Sequence, residues 1–195
     1  MIKIIHRINT IDLLNKIPRD FGIEIDIRSK NNKLILNHEP YEDGEDFIKW
    51  LGFFHHKFLI LNVKEEGIEN DVIKLMNQNN ITNYFFLDLS FPSIIRLKSN
   101  EKKIAARLSQ FESIETVIKL NDEVDWVWID MISDTIPFSK SDYNIIKEQG
   151  FKTCIVSPEL WGRSISSIEH VKKQIVENNY KFDAVCTKEP AIWEN

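Results

Sequence analysis

The chain has 195 residues, 43% hydrophobic and 28% charged, a balance that suits one folded domain over residues 1–195 and excludes a disordered chain. A formal net charge of -5 argues against nucleic acid as the main partner. No apolar run approaches the roughly 18 residues that span a bilayer, and residues 1–7 lack the apolar core and cleavage site of a signal peptide, so the expectation is a cytoplasmic protein with no membrane span.

Short β-branched and aromatic runs alternate with longer amphipathic stretches. The strand candidates are residues 2–6, 23–28, 58–64, 84–88, 104–107, 126–130, 153–157 and 183–187, with helices expected near 10–17, 45–54, 65–78, 92–98, 114–120, 140–149 and 167–178. Strand-helix alternation implies a parallel sheet, and eight strands imply an α/β protein closed into a (β/α)₈ TIM barrel of minimal size. Ser166 and Glu169 have capping-box spacing, Pro92 lies just inside a helix start, and Gly22 and Gly150 shortly precede strands. Asn31-Asn32 suggests that the second strand turns back in a small hairpin. The two cysteines, Cys154 and Cys186, fall inside strand candidates and read as core thiols rather than a disulfide or a metal pair.

Side chains alternate faces along a strand. Ile23, Ile25 and Ile27 share one face of the second strand, and Glu24, Asp26 and Arg28 share the other. Extended to the remaining strands, this division leaves polar residues late in each: His6, Asn62, Lys64, Asp88, Arg107, Asp130, Ser157 and Thr187. That end is where barrel enzymes build their sites, and burying so many charges is costly unless they serve one another, a metal or a ligand.

Glu24 and Asp26, two apart, present their carboxylates in one column, which suits a hard cation such as Mg²⁺ or Ca²⁺; the alternative is a salt bridge with Arg28 or Lys64. Arg107 is placed to meet a phosphate or, alternatively, to pair with Asp88 or Asp130. Trp126 and Trp128 read as core, and His55, His56 and His170 as helix-surface histidines. Trp161-Gly162-Arg163 follows the seventh strand, where a lid or a substrate contact would lie.

The segments His6-Arg7, Asn9-Thr10, Gly22-Ile23-Glu24-Ile25-Asp26 and Leu36-Asn37-His38-Glu39 together resemble the signature of the glycerophosphodiester phosphodiesterase family. Asp183 to Pro190 loosely resembles that family's closing motif. The resemblance implies a TIM barrel, a divalent cation, a histidine pair (His6 and His38) as general acid and base, Arg7 as a phosphate contact, and Glu24 and Asp26 as metal ligands. Asp26-Ile27-Arg28 with His38 and Pro40 also resembles bacterial phosphatidylinositol-specific phospholipase C, a metal-free relative in which an arginine supplies the cation's charge. Arg28, Lys64 and Arg107 join Arg7 as expected substrate contacts.

The sequence departs from the family pattern at several points. Asn62 stands where a third metal-ligating glutamate is usual; its carbonyl oxygen can coordinate but adds no charge, so cation binding should be weakened or absent. Ile8 replaces the glycine after His-Arg, and the glutamate before Asn-Thr is missing. The expected function is metal-assisted hydrolysis of a small soluble phosphodiester. The alternative is an altered barrel that binds a phosphorylated sugar or a nucleotide without hydrolysing it.

Overall fold

Isoleucine-rich segments open the chain because β-branched side chains fit a pleated surface. Ile2–Ile5 forms β1. After it, Thr10 accepts the Leu13 amide and caps a one-turn helix, α1 (Ile11–Leu14). The nine-residue β2 (Gly22–Lys30) follows, parallel to β1 with Ile4 opposite Gly22. A Cβ on Gly22 would meet Ile4 Cγ1 at 2.7 Å, so close approach of the two strands requires the glycine. The structure is a computed structural model. It describes Met1–Glu194 and divides into two compact units: residues 4–96, and residues 1–3 with the chain from Leu97 onward.

In residues 4–96, β2 turns back at Asn31 and Asn32, with φ of 52° and 59°. Two successive left-handed residues form the tight turn that matches strand twist. The hairpin partner is β3 (Lys33–Leu36), with Ile27 opposite Leu36. The helix expected at 45–54 begins later than its sequence suggests. Glu45–Asp46 forms β4, paired with Leu36 and Ile35, and α2 (Phe47–Leu51) starts from the Asp46 cap. On the other edge of β2 lies β5 (Phe58–Val63), parallel, with Asp26 opposite Asn62. Then come α3 (Glu69–Gln78), β6 (Tyr84–Leu87), which is parallel to β5, and α4 (Phe91–Leu97).

The other unit carries β7 (Ala105–Leu108), α5 (Ile114–Lys119), β8 (Trp126–Ile129), α6 (Lys140–Glu148), β9 (Lys152–Val156), α7 (Ile165–Glu177) and β10 (Ala184–Thr187). Its strands are parallel in the order β7-β8-β9-β10, and the Ile2 amide bonds the Asp183 carbonyl at the start of β10. The capping box expected at Ser166 lies elsewhere. α7 starts from Ser164 with no side-chain cap bond, whereas Ser139 and Asp142 form a reciprocal box on α6.

The eight expected strands are therefore all present and parallel, which makes the fold TIM-barrel-like. The strands form one sheet in the order β4-β3-β2-β1-β10-β9-β8-β7, with β5 paired to β2 and β6 to β5, an open path among the described residues rather than the closed ring inferred from the count; closure requires a ladder along every pair. Ile23, Ile25, Ile27, Leu59 and Leu61 are fully buried, each worth about 1.5–3 kcal/mol relative to exposure. Cys154 and Cys186 are buried thiols with no disulfide, and desolvation holds the Cys154 thiol well above its usual pKa. Among the described residues no helix is long and apolar enough to cross a membrane.

Candidate active site

In residues 4–96 the C-terminal ends of β1, β2, β5 and β6 carry the polar cluster. His6 follows β1, its side chain 16% exposed and its Nε2 3.9 Å from Glu24 Oε2. Arg7 then turns to φ 57°, a conformation that costs a non-glycine residue free energy and occurs at functional turns. The turn aims the Arg7 amide at Glu24 Oε2, 2.7 Å away. Asn9 clasps β2 reciprocally: its Nδ2 donates to Asp26 Oδ2 and its Oδ1 accepts the Asp26 amide, both at 2.9 Å.

β5 adds Asn62, whose Nδ2 donates to Glu24 Oε1 at 2.9 Å. Just past its end, Lys64 Nζ lies 3.4 Å from Asp26 Oδ1 and 3.1 Å from Asp88 Oδ2. Arg7 Nε is 3.6 Å from Asp26 Oδ2. Glu24 and Asp26 are 1% and 0% exposed, so two adjacent carboxylates sit in a low-dielectric interior. Burial, and then the neighbouring Asp26 charge, push the Glu24 pKa up to about 7, against the lowering pull of the Asn62 and Arg7 hydrogen bonds and the Lys64 charge.

His38 lies beyond β3. Its Nδ1 is 2.6 Å from Glu39 Oε1, and the Glu39 amide donates to Asn37 Oδ1 at 2.9 Å. The His38 hydrogen bond and charge, followed by burial acting the other way and then the Arg7 and Arg28 charges, leave the Glu39 carboxyl below its usual pKa. Arg28 donates from Nε and Nη2 to the His38 carbonyl at 3.1 and 2.9 Å, and from Nη1 to the Lys64 carbonyl at 3.2 Å. A cleft of about 340 Å³ opens beside this cluster, lined by Lys64, Glu65, Glu66, Glu69, Asp88 and Ser90 among others.

The structure thus brings together His6, Arg7, Glu24, Asp26, Asn62 and Lys64, and ties His38 to Lys64 through Arg28. Arg107 is in the other unit, ion-paired with buried Asp130, which is one of the two alternatives its position allowed. Asp130 also accepts the Trp161 indole N–H at 2.5 Å. Trp126 and Trp128 are buried. Nearby strand ends hold a second network, in which Glu159 accepts from Thr187 Oγ1 at 2.6 Å and from the Lys188 amide at 3.0 Å. Asn9 and Glu39 stand in the segments that carry the resemblance but, like Glu159, have no role assigned from sequence. The Asn9–Asp26 clasp has no local signature, whereas Glu39 beside His38 offered one.

The residues expected to hold a divalent cation do not suit one. Glu24 Oε1, Glu24 Oε2 and Asp26 Oδ2 each accept a protein N–H, and Asp26 Oδ1 faces an ammonium. Asn62 turns its NH₂ to Glu24, since a carboxylate accepts and does not donate; its buried Oδ1 and Asp26 Oδ1 are the two oxygens of the cluster without a hydrogen bond. Because Asp26 Oδ1 already faces the Lys64 ammonium at 3.4 Å, a hard cation would have to displace that charge or a protein N–H to gather its oxygen ligands. Among the described residues, no three His, Cys, Asp or Glu side chains are grouped to hold a metal.

No protein-family model matches the sequence, and no curated protein matches it. Solved structures do. A glycerophosphodiester phosphodiesterase from Agrobacterium tumefaciens superposes with a TM-score of 0.69 at 12% identity, over 99% of this chain and 99% of that one. A glycerophosphoryl diester phosphodiesterase from Parabacteroides distasonis gives a TM-score of 0.66 at 11% identity, over 98% of this chain and 84% of that one. A Galdieria sulphuraria protein assigned provisionally to the same class gives 0.69 at 16% identity, over 98% of this chain and 95% of that one. The chain has the fold of the glycerophosphodiester phosphodiesterases.

Proposed function

We propose that the protein cleaves a small soluble phosphodiester by histidine acid-base catalysis. The observation that carries this reading is the pairing of two histidines with two glutamates: His6 with Glu24 at 3.9 Å, and His38 with Glu39 at 2.6 Å, in the unit that also carries Arg7 and Lys64. At His38 the Glu39 carboxylate on Nδ1 fixes the imidazole and leaves Nε2 for the substrate, whereas at His6 Nδ1 is buried and Nε2, beyond hydrogen-bond distance of Glu24, is the nitrogen left to exchange a proton.

In a diester with a neighbouring hydroxyl, one histidine takes the hydroxyl proton as that oxygen attacks phosphorus. The other gives a proton to the departing alkoxide as its P–O bond breaks. Arg7 and Lys64 stabilise charge on the phosphoryl oxygens. Arg28 gives three of its five N–H groups to the carbonyls of His38 and Lys64 and so holds that pair in place. Arg107, paired with Asp130, anchors the Trp161 loop. No step is routed through a metal.

The test is turnover of bis(p-nitrophenyl) phosphate and a panel of glycerophosphodiesters. Changing His6→Ala or His38→Ala should cost about 10²–10⁴-fold in kcat. Absence of turnover on every diester, with both variants binding phosphorylated sugars or nucleotides as wild type does, would leave a non-hydrolytic binder.

A further inference from the structure

Four carboxylate oxygens, on Glu24 and Asp26, define where a bound cation would sit. Three accept a hydrogen bond from this chain, and the fourth, Asp26 Oδ1, accepts none and faces an ammonium. Asn62 Nδ2 donates to Glu24 Oε1 at 2.9 Å and the Arg7 amide to Oε2 at 2.7 Å. Asn9 Nδ2 donates to Asp26 Oδ2 at 2.9 Å, and Lys64 Nζ stands 3.4 Å from Asp26 Oδ1. Lys64 also reaches Asp88 Oδ2 at 3.1 Å, with its side chain only 16% exposed.

We infer that the Lys64 ammonium occupies the position a divalent cation would need, so that the carboxylate pair is neutralised from within and the protein does not bind Mg²⁺ or Ca²⁺ there. This assignment deepens the phosphodiesterase reading and rests on it for its catalytic meaning.

Two substitution effects act in the same direction. A glutamate at position 62 would add a negative charge and a ligand; Asn62 adds a hydrogen-bond donor and removes the charge that a second cation would balance. A divalent ion entering beside Asp26 would meet the positive charges of Lys64 and Arg7, in an interior where like charges repel strongly. It would also have to break hydrogen bonds to buried carboxylates that leave their donors unsatisfied. Lys64 needs no such exchange, because β5 delivers it next to Asp26 through the parallel register that sets Asp26 opposite Asn62.

The experiment is cation binding, read by calorimetric titration and by thermal melting in chelator or in millimolar MgCl₂ or CaCl₂. The wild-type protein should show no binding heat and no shift in midpoint. Lys64→Met should melt lower in chelator and gain about 4 °C or more with either cation; Lys64→Arg, which keeps the charge, should not respond. A wild-type protein that gains stability from either cation, reversibly with chelator, overturns the assignment, as does a folded Lys64→Met protein that gains nothing. Should Lys64→Met fail to fold, the wild-type titration decides alone. A wild-type protein that binds no cation and turns over no diester would sink the phosphodiesterase reading while leaving the neutralisation by Lys64 standing.

Discussion

The carboxylate of Glu39 grips the ring of the residue before it: Oε1 lies 2.6 Å from Nδ1 of His38, while Arg28 holds the His38 carbonyl from the other side. Ring and backbone are thereby fixed by separate partners. Glu39→Gln keeps the shape but removes the charge from the hydrogen bond that holds the ring. It should lower kcat roughly 10-fold with KM little changed and leave the melting midpoint where it is, because the Glu39 side chain is largely exposed. Steady-state kinetics alongside melting checks this; a fall in midpoint as large as the loss of rate would make Glu39 merely structural.

Asn9 makes two hydrogen bonds to one buried residue, the side chain and the amide of Asp26. Asn9→Ala should therefore destabilise the protein by about 1–3 kcal/mol, since it strands a buried donor and a buried carboxylate oxygen. Urea unfolding measures it. Asn9→Asp should be worse than alanine, because a third carboxylate would face Asp26.

Asp183 offers a pH test in the other unit. Burial raises its pKa, but hydrogen bonds from Lys147, the Thr153 amide and the Thr153 hydroxyl, with the Lys147 charge, outweigh that and leave it lowered. A carboxyl with a lowered folded-state pKa stabilises the fold at pH above its unfolded value, and the contribution is lost as pH falls through the folded value. Asp183→Asn should thus be less stable than wild type at neutral pH, and the gap should close as pH falls through the lowered folded-state value. A gap that persists unchanged into acid would assign the effect to packing.

Much of the site could be read from residue order alone. The Ile-Glu-Ile-Asp-Ile alternation of β2 announced both a buried strand and a paired-carboxylate face, and the asparagine pair at 31 and 32 announced its hairpin. What stayed hidden depends on tertiary neighbours. Lys64 lies 38 positions after Asp26 and reaches it only because β5 docks in parallel register. Arg28 reads as a phosphate contact because a guanidinium late in a strand commonly is one; only the structure shows three of its five N–H groups given to two carbonyls. Ser166 had correct cap spacing, yet Ile165 already lies in α7, so a matching motif one turn-step late carried no information on the true boundary.

The bond from the Ile2 amide to the Asp183 carbonyl makes the unit that begins at Leu97 a discontinuous one, completed by the first three residues of the chain. A gene fragment encoding only residues 97–195 would expose the β10 edge that β1 normally covers, an invitation to intermolecular strand pairing. Fragment expression should accordingly keep the opening residues, grafted if necessary behind position 195.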